Sequence, residues 1–185
     1  MTNHVHLLLT PKGTGDCAKL MRDLGQQYVQ YYNRRHRRTG TLWEGRFRSC
    51  LVESASYVLA CYRYIELNPV RARLADKPCA YAWSSHAVNT GLRVDPFLSP
   101  HPDFVALEAD PKRRQVTYKQ LFDAVLDDSM VAAIREATHG NLPLGSELFK
   151  SEILAGGRKI AHGKPGRPPN KPSGSDDQLQ IEIGL

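Results

Sequence analysis

Residues 4–10, reading HVHLLLT, form a short, apolar, β-prone run that stops at Pro11-Lys12-Gly13. Such a run predicts a buried strand followed by a turn. A strand constrains the rest of a chain strongly, because its N–H and C=O groups need a neighbouring strand to pair with. On that strand His4 and His6 stand at i and i+2 and share a face, about 7 Å apart along the backbone. Two imidazoles on one face can share a divalent metal, although a His-x-His pair is more often structural or solvent-exposed.

Beyond the turn, Asp16 caps a predicted helix whose apolar residues Leu20, Leu24, Tyr28, Tyr31 and Tyr32 recur at roughly helical spacing as far as Asn33. Residues 33–41 then read as a basic loop, and residues 42–52 mix aromatic and basic side chains in an extended pattern. Ser54 or Ser56 starts a second helix through Leu67, which Pro69 ends or bends. Residues 70–74 resume as a helical turn, and residues 81–86 pack back irregularly. Pro96, Pro100, Pro102 and Pro111 mark residues 95–111 as a linker. A helix is expected over residues 118–138 and a shorter one over 144–154. The Gly-, Pro-, Lys- and Ser-rich stretch from Gly156 onward reads as a disordered basic tail.

Charge separates the two halves. Residues 1–95 hold 14 Lys/Arg against 7 Asp/Glu, whereas residues 96–185 hold 11 against 12, so the net +6 belongs to the first half. Arg34, Arg35, Arg37 and Arg38 sit together, followed by Arg46 and Arg48, with Tyr31, Tyr32, Trp43 and Phe47 close by. Arginines for phosphates and aromatics for base stacking make a composition suited to single-stranded nucleic acid. A solvated basic loop has the same composition. No run of eighteen apolar residues occurs, which excludes a membrane-spanning helix, and no secretory leader is expected. Cys17, Cys50, Cys61 and Cys79 show no CxxC pair or metal-finger spacing, which predicts reduced thiols and a cytoplasmic protein.

Tyr64-Ile65-Glu66-Leu67-Asn68-Pro69 places Tyr64 and Asn68 one helical turn apart on one face. A tyrosine hydroxyl can attack a phosphodiester, and an amide carbonyl can ligate Mg²⁺ or Mn²⁺. The same residues also suit a core aromatic and a helix cap before proline.

Four stretches in series carry a resemblance: Met1-Thr2-Asn3-His4-Val5-His6-Leu7-Leu8, Tyr32-Asn33-Arg34-Arg35-His36, Gly40-Thr41-Leu42-Trp43-Glu44-Gly45-Arg46-Phe47, and Tyr62-Arg63-Tyr64-Ile65-Glu66-Leu67-Asn68-Pro69-Val70-Arg71-Ala72. Over about residues 1–90 the chain resembles the single-tyrosine HUH transposases, and within them the REP-associated tyrosine transposases. The resemblance implies an α+β, ferredoxin-like catalytic domain over residues 1–94 that lacks its N-terminal portion. It further implies a linker over 95–111, a helical accessory region over 112–155 and the tail over 156–185.

By the same resemblance Tyr64 is the nucleophile that cleaves and rejoins single-stranded DNA through a 5′-phosphotyrosine intermediate. His4, His6 and Asn68 are the implied ligands of Mg²⁺ or Mn²⁺. Arg34, Arg35, Arg37, Arg38, Arg46 and Arg48 are expected to hold single-stranded or hairpin DNA, and a homodimer is implied. Lys164-Pro165-Gly166-Arg167-Pro168-Pro169 is similar to the Gly-Arg-Pro core of an AT-hook. The rival readings are a non-catalytic DNA-binding remnant or domesticated relative, and an RNA-binding module.

Overall fold

The computed structural model of the protein describes residues 1, 3–53 and 56–157. The alternative helix start at Ser54, the AT-hook-like motif and all of the tail beyond Gly157 lie outside the described residues. The fold is helical: α1 (Asp16–His36), α2 (Ser56–Arg71), a 3-10 turn (Pro78–Ala80), α3 (His86–Asn89), α4 (Pro102–Val105), α5 (Pro111–Gln120), α6 (Asp128–Gly140) and α7 (Glu147–Ala155).

The α+β, ferredoxin-like fold class expected from the resemblance is therefore corrected, because the described residues contain no strand or sheet. Their only β pairing is an isolated parallel bridge between Val52 and Leu144. Residues 4–10 form neither helix nor strand, with Val5, Leu7 and Leu9 exposed and His6 and Leu8 half-buried. The alternation of burial is that of a strand, but no segment pairs with it among the described residues. A lone segment cannot form a sheet ladder.

Helix α2 is the centre of the structure, packing against α4, α6 and the 3-10 turn. Its Ala60, Cys61 and Tyr64 join Leu126, Val131, Ile134, Ala137 and Leu144 in one buried cluster. Val131, Ile134 and Ala137 recur every three residues, which puts them along the side of α6 that meets α2. A second, aromatic layer lies on α2, where Tyr62 stacks on Phe104 at 5.7 Å between ring centroids. Phe104 meets Tyr118 edge-on at 5.0 Å, and Tyr118 meets Phe122 at 5.3 Å. The four cysteines are free thiols, and burial pushes Cys61 up to about 12.

Local chemistry explains where these helices begin and end. Asp110 accepts the Arg113 N–H at 2.8 Å with Pro111 at the first helical position, which starts α5. Ser146 caps α7 through the Phe149 N–H and is itself held by both carboxylate oxygens of Glu53, at 2.6 and 2.9 Å. Helix α2 runs through Pro69 instead of ending at it. Proline has no N–H to give the Ile65 carbonyl, but the Ala72 and Leu74 N–H groups still bond to Asn68 and Pro69 carbonyls. The segment then closes at Arg73, whose φ of 56° is left-handed.

Two further expectations change. The helix expected over 118–138 is broken between α5 and α6, where Asp127-Asp128-Ser129 supplies a fresh helix start. Helix α1 continues past Asn33, so Arg34, Arg35 and His36 form its last turn and not a loop. Cations there complement the unpaired carbonyl end of the helix. The apolar stripe of α1 is not core: Leu20, Leu24, Tyr28 and Tyr31 are all exposed, and α1 has no buried residue. Trp43 leans on it, giving its Nε1–H to the Gly25 carbonyl at 3.2 Å and its ring to Tyr28.

Candidate active site

The helical periodicity of α2 sets the site. Tyr64 and Asn68 fall on one face, and Glu66, two residues from each, projects from roughly the opposite one. Both Tyr64 and Asn68 are 8 % exposed. Segment 4–10 meets this face through His6. The His6 ring meets the Tyr64 ring edge-on at 5.6 Å, and its Nε2 contacts Asn68 Nδ2. His4 lies beside His6, ring against ring in a T-shape at 5.0 Å. Thus His4, His6, Tyr64 and Asn68, separated by about sixty residues in sequence, form one contiguous cluster.

Arg71 completes it. Its guanidinium lies over the Tyr64 ring at 4.8 Å from the centroid and donates to the Tyr64 carbonyl oxygen at 2.7 Å. The clamp is local, since Arg71 stands two turns after Tyr64 on the same helix. Beside the cluster opens a groove of about 460 Å³, lined by Val5, His6, Leu7, Ile65, Pro69, Tyr81 and Trp83.

The electrostatics favour uncharged imidazole. Burial lowers the His6 pKa to about 4, helped by the positive charges of His4, the N-terminal ammonium and Arg71. At neutral pH His6 therefore keeps a ring lone pair free for a hydrogen or a metal. In His4, Nδ1 is 2.8 Å from Asn3 Oδ1, which can only accept. His4 Nδ1 is then the donor, which leaves Nε2 as the ring nitrogen not engaged by Asn3. Among the described residues no group of three His, Cys, Asp or Glu side chains converges as a metal site. Were a metal held by His4 and His6, the neighbouring amide that would complete the set is Asn68, once a half-turn of its side chain exchanged Nδ2 for Oδ1 against His6. Two imidazole nitrogens and an amide oxygen fit a divalent cation.

The arginines stand apart from this cluster, on the end of α1 and the loop that follows. Arg34, Arg35, Arg37, Arg38, Arg46 and Arg48 are all exposed, and none forms an ion pair among the described residues. Arg37 is the left-handed cap of α1, with φ 50°, and Arg38 lies over the Tyr32 ring at 5.7 Å. Asn33 ties this turn together by donating to the Gly40 carbonyl at 2.9 Å.

Sequence reasoning missed the other face of α2. Glu66 is fully buried and accepts four hydrogen bonds, from Ser85, His86, Asn89 and Tyr118. The signal was present: a carboxylate inside the apolar run Tyr64-Ile65-Glu66-Leu67 must be either exposed or fully paired. Arg71 was quoted in the motif without a role.

The family model described as "Transposase IS200 like" matches residues 1–68. The match takes in segment 4–10, α1, the arginines and α2 as far as Asn68, and this part of the chain is similar to IS200-like transposases. No curated protein and no solved structure matches the chain. Among the described residues no helix is long and apolar enough to cross a membrane.

Proposed function

We propose that the protein is a transposase that cleaves and rejoins single-stranded DNA, with Tyr64 as its nucleophile. The observation that carries this reading is the cluster itself: the two ends of the IS200-like match, His4 and His6 at one end and Tyr64 and Asn68 at the other, meet in space. Tyr64 Oη forms a bond to the scissile phosphorus while the bond from phosphorus to the 3′ oxygen breaks. The phenolic proton passes to solvent and the departing 3′ oxygen takes one up, leaving a 5′-phosphotyrosine and a free 3′-hydroxyl. One phosphoester replaces another, so the step reverses without a nucleotide cofactor when a 3′-hydroxyl returns.

His4, His6 and Asn68 are the residues to hold Mg²⁺ or Mn²⁺, which when bound polarises a phosphoryl oxygen and orients the phosphate. Arg71 fixes the Tyr64 ring by stacking, so the nucleophile enters the reaction with few orientations to lose. The six exposed arginines on α1 and its following loop take the phosphates of single-stranded or hairpin DNA.

The test is incubation with hairpin-bearing single-stranded DNA and Mn²⁺, followed by a denaturing gel. A protein–DNA adduct in the wild type that is lost in Tyr64→Phe supports the reading. An adduct that persists in Tyr64→Phe removes Tyr64 as nucleophile. The second reading, DNA binding without cleavage, is favoured by one observation: the Tyr64 ring is part of the buried cluster. Hairpin binding with no adduct from the wild type selects it.

A further inference from the structure

We propose that Glu66 is a positioning residue, which holds α2 at the rotation that presents Tyr64 and Asn68 to His6; the inference rests on the proposed role of Tyr64. Glu66 has no exposed surface. Its Oε1 accepts from Ser85 Oγ at 2.7 Å and Asn89 Nδ2 at 2.7 Å. Its Oε2 accepts from His86 Nδ1 at 2.9 Å and Tyr118 Oη at 2.8 Å. Four donors from α3, the residue before it and α5 thus converge on one side chain of α2. Burial, with Glu66 next, pushes the Tyr118 hydroxyl far above the ordinary phenol range, so it remains a donor.

Burial of apolar surface is non-directional and by itself names no one rotation of a helix. Four directional bonds to one carboxylate fix its rotation about its own axis. The lever is long. Side chains reach about 5–6 Å from the axis, so a rotation of about 20° moves the Tyr64 and Asn68 tips by about 2 Å. Misplacement by about 1 Å already slows positioned chemistry about 100-fold. Glu66 sits between the two site residues in sequence and opposite them in space, where it controls their direction without touching DNA.

Two variants test this in the full chain. Glu66→Gln keeps the shape but replaces one acceptor oxygen with a donor. Tyr118→Phe removes a single hydroxyl from α5, far from the site face. Folding is checked by circular dichroism and thermal melting, and hairpin DNA affinity by titration. Both variants are expected to remain folded and bind DNA within about twofold of wild type, while adduct formation at saturating DNA falls about 10- to 100-fold. The Mn²⁺ concentration giving half the rate is expected to rise, because Asn68 moves with Tyr64.

Rates and Mn²⁺ dependence unchanged in both folded variants would overturn the proposal, as would a rate loss equal to the unfolded fraction. A wild type that forms no adduct defeats the reading of Tyr64 but leaves a second readout. In metal-free Tyr118→Phe, the NMR signals of the Tyr64 and His6 rings are expected to shift while the methyl signals of the exposed Leu20 and Leu24 on α1 stay in place. Unmoved ring signals overturn the positioning role whether or not the protein cuts DNA.

Discussion

His6 makes the metal-free fold sensitive to acid in a defined window. Its pKa falls from 6.5 to about 4 on folding, mainly through burial and then through the neighbouring charge of His4. The unfolded chain therefore binds a proton at His6 over a range where the folded chain does not. Stability rises with pH wherever the unfolded state binds more protons. The contribution is thus complete above pH 6.5, declines as pH falls, and is lost by about pH 4. A shift of this size corresponds to about 3 kcal/mol at 1.36 kcal/mol per unit. His6 is only half-buried, and solvent screening reduces the expected effect to about 1–2 kcal/mol. The assay is urea unfolding at half-unit steps between pH 4 and 7.5, comparing wild type with His6→Gln, whose amide oxygen still accepts from Asn68. Carboxylates titrate in both proteins, so the difference between the two curves isolates His6. The difference should change by about 1–2 kcal/mol across the window, with the wild type losing stability faster toward acid. Parallel curves, or a His6 titration midpoint at or above 6.5 by NMR, would refute the burial argument.

Ile134 is buried between α6 and α2, and Ile134→Ala should lower unfolding stability by about 2–5 kcal/mol in urea melts, with little change in the slope. Arg71→Lys removes the planar stack on Tyr64 and the fork that reaches its carbonyl, which should destabilise the chain by about 1 kcal/mol and leave the circular dichroism spectrum unchanged. Replacing Arg34 and Arg35 together with alanine should weaken binding to single-stranded DNA of any sequence and flatten the salt dependence by about 0.7 per lost phosphate contact. An unchanged slope in that titration would place the DNA elsewhere.

What could be read from the sequence was local. The one-turn spacing of Tyr64 and Asn68 is a property of a helix, and that helix is present; the strand expected to carry His4 and His6 is not, although their rings still meet. Their meeting is tertiary, and only the resemblance implied it. The fold class failed for a related reason. Residues 4–10 have the alternation of a strand, but a strand exists only with a partner, and none lies beside them among the described residues. The stripe Leu20, Leu24, Tyr28, Tyr31 does lie on a helix, α1, but is exposed, since periodicity says which residues share a face and not what covers it. The break before α6 was legible in Asp127-Asp128-Ser129, whose start signal competes with the longer apolar pattern around it. Glu66 was legible only as an anomaly, a charge in an apolar helix, because its four donors come from 19 to 52 residues further along the chain.

The central claim is that Tyr64 becomes joined to DNA. Trypsin cuts after Arg63 and Arg71, so Tyr64 should be recovered in the peptide YIELNPVR. The measurement is mass spectrometry of the digested adduct formed with hairpin-bearing single-stranded DNA and Mn²⁺. The account predicts that this peptide carries a 5′-phosphorylated oligonucleotide on its tyrosine. An oligonucleotide attached to any other tyrosine, such as Tyr28, Tyr31 or Tyr32, would contradict it.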